Sequence, residues 1–226
     1  MTAPIPTPIV VAVSGHRALH PDDDARLRAQ LDAALLAIAQ AAPDARLECL
    51  SALAAGADQL FAQQVLALQA RLGVARVRLE VPLPMPEAAY IDSQEQAGST
   101  AFRDSFLVLR ARAQRVFEVP ADGGPSDGAA PYVRLGEYFA AHADVLVALW
   151  DGDTGAQRQP GGTYDVVMRC LAVPGRRVLH LPARRAGSAV VAAPALPAWL
   201  SLDASGCLLR SELLRFDAFS GPGQEN

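Results

Sequence analysis

Three stretches of this 226-residue chain bring glycine together with hydroxyl, imidazole or charged side chains, and each follows an apolar run. The first is Ser14-Gly15-His16-Arg17. A glycine there lets backbone N–H groups approach an anion, and Arg17 offers a forked, permanently charged donor suited to phosphate. The second, Ser51-Ala52-Leu53-Ala54-Ala55-Gly56-Ala57-Asp58, consists of small residues around Gly56, which permits a tight or left-handed turn. The third runs from Asp151-Gly152-Asp153-Thr154-Gly155 to Gln159-Pro160-Gly161-Gly162-Thr163-Tyr164-Asp165. Paired Gly161 and Gly162 ahead of a helix would present several N–H groups to one phosphate, with Thr163 both capping and donating.

Each segment also has a purely structural reading. Ser14 can satisfy a chain end, His16 can be a packed or solvent-exposed ring, and Asp58 is either a helix cap or an acceptor for a sugar hydroxyl. The chain has no Gly-x-x-x-x-Gly-Lys-Ser/Thr loop, and its first loop lacks the three-glycine dinucleotide fingerprint. Neither nucleotide-triphosphate hydrolysis nor hydride transfer is therefore supported. His16, His20, His142 and His180 form no metal-binding motif, so no metal is implied. Cys49, Cys170 and Cys207 are too far apart for zinc or redox pairs and read as buried thiols in a reducing compartment.

The elements that must carry these loops alternate. Pro8–Ser14 is a non-alternating β-rich run, as in a strand covered on both faces, and Asp22–Ala42 spaces Leu27, Leu31, Leu35 and Ile38 as the stripe of a helix. Leu47–Ser51 then reads as a strand, Asp58–Leu72 as a helix and Ala75–Val81 as a strand stopped by Pro82, with Pro84 and Pro86 fixing an extended loop. Helical spacing returns over Thr100–Ala113, followed by a short strand at Arg115–Val119 and a flexible loop over Ala121–Ala130. Tyr132–His142 (helix), Asp144–Trp150 (strand), Thr163–Ala172 (helix) and Arg177–Leu181 (strand) continue the series. Beyond Arg184, Trp199–Leu202 and Cys207–Phe216 form a hairpin about Asp203–Gly206, or the second segment is a helix.

Such alternation predicts a three-layer α/β domain: a mostly parallel sheet of five or six strands with helices on both faces. It spans 1–183, with 184–226 as an extension packed on it. Ligands of such sheets collect beyond the carboxyl ends of the strands, where all three glycine segments fall. The composition, 51% apolar and 19% charged, excludes a disordered or disulfide-held chain. Twenty basic against 24 acidic residues give a net charge of −4, which argues against nucleic acid as the default partner. No stretch is long and apolar enough for a membrane span, and Met1–Pro6 has no secretory pattern, so a cytoplasmic location is expected.

The ordered combination of Gly15-His16-Arg17, Ser51 to Asp58, and Asp144 to Gly152 with Gly161-Gly162-Thr163 resembles the SLOG superfamily over about Pro8–Leu181. That superfamily gathers DNA-processing proteins of the SMF/DprA type, lysine-decarboxylase-like phosphoribohydrolases and nucleotide-sensing domains. The resemblance implies a Rossmann-like fold and a nucleotide or ADP-ribose-like ligand, with phosphate or ribose near Gly15, Arg17, Ser51, Gly56, Asp58, Gly161, Gly162 and Thr163, and no firmly implied cofactor. It loosely allows Tyr132 to stack on a base while Arg134 meets phosphate, and it suggests a homo-oligomer. The phosphoribohydrolases show Pro-Gly-Gly-x-Gly-Thr-x-x-Glu. Here Pro160-Gly161-Gly162 runs directly into Thr163-Tyr164-Asp165-Val166, so the glutamate position is apolar.

The leading expectation is thus binding of a nucleotide-derived ligand in a sensor or regulatory role. A first alternative is an N-glycosidic hydrolase or transferase, with Asp165 stabilising charge at a ribose and Asp58 or Asp151 as a second carboxylate. Asp165 serves equally well as an acidic residue favouring the helix dipole. A second alternative is a DNA-processing scaffold.

Overall fold

The computed structural model of the chain describes residues 7–96, 102–121, 128–154, 159–187 and 196–212. β1 (Ile9–Gly15) is the β-branched run expected, and a 3-10 turn at Pro21–Asp23 leads into α1 (Asp24–Ala41). The α1 stripe Leu27, Leu31, Leu35 and Ile38 is buried, each leucine contributing roughly 1.5–3 kcal/mol of transfer free energy. β2 (Leu47–Leu50) and α2 (Ala57–Leu72) follow, the latter burying Leu60, Phe61, Val65 and Leu68. Then come β3 (Val77–Leu83), α3 (Glu87–Gln96), α4 (Phe102–Arg110), β4 (Arg115–Glu118), α5 (Ala130–His142), β5 (Val145–Trp150), α6 (Thr163–Leu171), β6 (Arg177–Pro182), β7 (Ala198–Leu202) and β8 (Leu208–Glu212).

The eight strands among the described residues join one sheet in the order β4-β3-β2-β1-β5-β6-β7-β8, two or three more than the alternation predicts. β1 to β6 are parallel, and β7 and β8 are antiparallel additions at one edge. The fold is a three-layer α/β arrangement with a mostly parallel central sheet flanked by helices. The chain lays β2, β3 and β4 outward on one side of β1, then returns to put β5 on the other side, in register Val11↔Val145 to Gly15↔Leu149. The reversal opens a crevice at the carboxyl ends of β1 and β5, the position ligands occupy in such sheets.

Three local expectations are corrected. Pro82 does not stop β3: pairing with β2 ends at Leu50↔Glu80, so its missing N–H falls where β2 no longer needs one, while β4 continues the other edge to Leu83↔Glu118. The proline-bounded segment is not all extended, because Pro86 sits just before α3, where its fixed φ suits a helix start. α3 is held by Tyr90, whose ring meets Phe102 and Phe106 of α4 edge-on, each at 6.1 Å. Of the three cysteines, Cys49 and Cys170 are buried, but Cys207 is exposed because it lies in the β7–β8 turn, where the Asp203 carboxylate accepts the N–H groups of Ser205 and Cys207.

Two buried polar clamps fix the periphery. The Asp23 carboxylate accepts from the Arg184 amide at 2.9 Å and from its guanidinium at 2.8 and 3.1 Å, tying the entry of α1 to the segment after β6. On β6, His180 donates from Nε2 to the Trp150 carbonyl (2.8 Å) and accepts at Nδ1 from Arg210 of β8 (2.9 Å), fastening the hairpin to the parallel sheet. That tautomer is set by the partners, since an arginine can only donate. No helix among the described residues is long and apolar enough to cross a membrane.

Candidate functional site

The three glycine segments meet around one cavity of about 620 Å³ at the β1/β5 switch point. Ser14, Gly15, His16 and Arg17 line it from the first loop, Ala52, Ala54 and Asp58 from the second, and Asp153 with Gln159–Tyr164 from the third. Tyr90 of α3 and Tyr132 of α5 complete the wall. The loops are also bonded to one another. His16 donates its own N–H to Leu149 O (3.0 Å), and its carbonyl accepts the N–H of Ala57 (3.0 Å). Its buried ring takes the Asp151 N–H at Nε2 (3.1 Å). His16 is thus a cross-link between all three loops. Burial holds its pKa below the usual histidine value, outweighing the nearby Asp151 carboxylate, so the neutral ring is the form that accepts.

Two glycines that the sequence offers to a ligand are consumed by packing. Gly56 has φ +77°, and a Cβ there would collide with the carbonyls of His16 and Arg17. Gly161 has φ +74°, and a Cβ would stand 2.7 Å from that of Tyr132. Nor are the paired amides open: Gly161 N–H donates to Asp165 Oδ2 and Gly162 N–H to Gln159 O, each at 2.9 Å. The expectation that both would face a phosphate is corrected by these bonds. Thr163 is the first residue of α6, not its cap. The cap position is Gly162, no side chain caps the helix, and the uncapped first turn borders the cavity. Such a turn carries partial positive charge and unsatisfied N–H groups.

Asp58 is likewise not a cap: Gly56 holds that position and Asp58 is the second residue of α2. Its carboxyl lines the cavity at 7% exposure. Burial pushes its pKa up to about 7, while backbone hydrogen bonding at Ala54 and Ala52 and the charge of Arg17 act the other way. Ser51 is fully buried and does not line the cavity; its hydroxyl donates to Asp58 O (2.9 Å) and accepts from Leu53 N–H (3.1 Å), bracing the second loop. Within that loop Leu53 adopts φ +57°, a strained conformation for a branched side chain.

Arg17 is exposed, makes no ion pair among the described residues and lies over the Tyr132 ring at 5.1 Å. The Tyr132 hydroxyl is held by Ser93 Oγ (3.0 Å) and Gln94 Nε2 (3.3 Å) of α3. Trp150 and Tyr164, with ring centroids 5.9 Å apart, supply further aromatic surface to the lining. Tyr90 and Tyr164 are cavity residues the sequence reading missed. Tyr90 was hidden by the unrecognised helix α3, whereas Tyr164 was named only as part of a loop.

Besides Ser51 and Gly56, four predicted site residues stand apart from the lining. Asp165 accepts from Gly161 N–H and from Arg169 Nε (3.0 Å). Asp151 accepts from Asp153 N–H and Arg185 Nε, both at 3.1 Å, and these partners with His16 overcome burial to hold its pKa below the usual carboxylate value. Gly152 belongs to the same turn, with φ +83°. Arg134, on α5, is half-buried beside the cavity helices and does not line the cavity. Gly155 and most of the Ala121–Ala130 loop lie outside the described residues.

No protein-family model matches the chain, and no curated protein is similar to it. Among solved structures it is similar to DNA processing protein A from Streptococcus pneumoniae, with a TM-score of 0.50 and 14% sequence identity. The match covers 81% of this chain and 52% of that one, so this chain corresponds to about half of that protein. The likeness is one of fold: a Rossmann-like α/β domain structurally related to the DNA-processing protein.

Proposed function

We propose that the cavity at the ends of β1 and β5 binds a small phosphate-bearing ligand of the nucleotide type, in a sensing or regulatory role. The observation that carries this reading is Arg17, a guanidinium with no ion-pair partner among the described residues, bordering the same cavity as the uncapped first turn of α6. An anion satisfies both. A volume of about 620 Å³ is within the usual range for small-molecule sites, and the surrounding aromatic rings suit a base. Calorimetric titration with AMP and ADP-ribose tests the reading. Arg17→Ala should weaken binding by about tenfold or more and lower the melting temperature only slightly, because it removes an exposed contact with the Tyr132 ring and no ion pair. A folded protein that binds none of these ligands refutes it.

A second reading, a DNA-processing scaffold, is favoured by the structural likeness to a DNA-processing protein. The net charge of −4 weighs against it. Salt-dependent binding of a single-stranded oligonucleotide, tighter than that of any mononucleotide, would make it the better account. The hydrolase reading retains only Asp58 on the cavity, since Asp165 and Asp151 are bonded elsewhere.

A further inference from the structure

His16 is pinned by its backbone and by one ring nitrogen. Its N–H and carbonyl are bonded to Leu149 and Ala57, each at 3.0 Å. Gly15 before it has no room for a Cβ, which would stand 2.5 Å from both the Ala57 Cβ and the Leu149 carbonyl oxygen. The ring is fixed at Nε2, which accepts the Asp151 N–H at 3.1 Å. Asp151 Oδ2 stands at the same distance, but a hydrogen on Nε2 would run into the incoming Asp151 N–H, and that carboxylate already accepts from Asp153 and Arg185. A neutral ring whose Nε2 accepts carries its hydrogen on Nδ1. Burial favours the neutral form.

Nδ1 hydrogen-bonds to no described residue, and it is not among the side-chain atoms sealed from solvent without a partner, so its N–H keeps accessible surface. His16 is only 6% exposed and lines the cavity at the switch point. The fold therefore uses one ring nitrogen to join two loops and leaves the other as a donor of fixed position on the cavity wall. Arg17, the next residue of the same loop, and the uncapped first turn of α6 border the same cavity. Like Nδ1–H, they donate and do not accept. A phosphate oxygen accepts only, whereas a hydroxyl or amino group brings a hydrogen that none of the three can take. We infer that His16 is a ligand-binding residue, donating from Nδ1 to a phosphate oxygen of the bound nucleotide while Nε2 keeps the first and third loops together. The inference rests on the proposed nucleotide-binding reading and gives a second task to a residue whose other contacts are all within the fold.

Amide side chains separate the two nitrogens. In His16→Gln the longer side chain carries its carbonyl oxygen to the position of Nε2 and has no donor at that of Nδ1. In His16→Asn the shorter amide puts an N–H near the position of Nδ1 and cannot reach Asp151. Calorimetric titration with AMP should find His16→Gln weakened by about tenfold or more, the worth of a hydrogen bond to a charged acceptor, with a melting temperature close to that of the wild type. His16→Asn should melt lower and keep most of the affinity. A histidine that served the fold alone would give the opposite order. Nitrogen NMR of the wild-type ring reads the same contact without a substitution, and it decides if either variant fails to fold. On adding AMP the hydrogen on Nδ1 should shift downfield and exchange more slowly with water, while the Nε2 resonance stays in place. Unchanged AMP affinity in folded His16→Gln, or an Nδ1 signal indifferent to saturating AMP, overturns this role of His16 and leaves nucleotide binding standing. Failure of AMP to bind the folded wild type overturns the two together.

Discussion

Replacing Asp58 with asparagine should stabilise the protein increasingly as the pH rises. The carboxyl is held near 7 against an ordinary value of 3.8. Between those limits the folded protein keeps a proton that the unfolded chain has already released, so stability falls as pH increases across the window. At about 1.4 kcal/mol per tenfold change in proton affinity, the fully ionised group costs the fold about 4 kcal/mol, of which about 1.7 is already present at pH 5. Asparagine has almost the same shape and no charge. The difference in unfolding free energy between Asp58→Asn and wild type should therefore widen by about 2.5 kcal/mol from pH 5 to pH 8. For a chain of this length that is roughly 5–10 °C in melting temperature. Urea titrations of both proteins at pH 5, 6, 7 and 8 measure it, and all other titrating groups cancel in the difference. A gap that stays constant over this range would show that the carboxyl ionises at its ordinary value and that the burial argument is wrong.

Gly56→Ala should lose at least about 2 kcal/mol, through its left-handed backbone and the collision with the His16 and Arg17 carbonyls; denaturant unfolding measures the loss, and a neutral result would mean the loops are not packed together. His180 should titrate near 4 when its ring protons are followed by NMR, because burial first, and then Arg210, oppose its charging despite the Trp150 carbonyl. The folded value lies below the ordinary 6.5, so its contribution is complete above that pH and is lost as the pH falls toward 4; titration near 6.5 would contradict the clamp. Asp23→Asn should cost about 2–4 kcal/mol by leaving Arg184 and Arg26 without their carboxylate. Although burial alone would raise Asp23, hydrogen bonds from Arg184 and Arg26 hold it at about 2, so the wild type's advantage, present above the ordinary 3.8, should vanish as pH falls through 2.

The strands and long helices were legible because burial imposes a period. β1 and β5 are continuous apolar runs, and α1 and α2 carry stripes at helical spacing. α3 was not legible: it is short, begins beside prolines and buries only Tyr90, Ile91 and Gln94, so its helical state depends on α4 beneath it. The meeting of three loops was legible for the same topological reason that β1 and β5 are neighbours. What a linear sequence cannot display is how each polar group has been used. Gly161 and Gly162 look like open amide donors until Asp165 and the Gln159 carbonyl are seen to occupy them. Asp58 looks like a helix cap until its depth is known, and Arg17 cannot be seen as unpaired until every carboxylate around it has a position.

The strongest reason to look for function in this cavity is where unfavourable energy accumulates. A leucine with φ +57° and a carboxyl buried until it half-protonates near neutral pH come from the second loop and the first turn of α2. Each disfavours the folded chain, and neither is needed to close the sheet, since Leu53 could be buried in a relaxed conformation and Asp58 could be exposed or replaced by an apolar residue. The buried ionisable groups of the periphery are paired: Asp23 has two arginines and His180 has both ring nitrogens bonded. A strained leucine beside a half-protonated buried carboxyl on one wall of a cavity is what a binding site leaves behind when its partner, rather than the fold, supplies the compensating contacts.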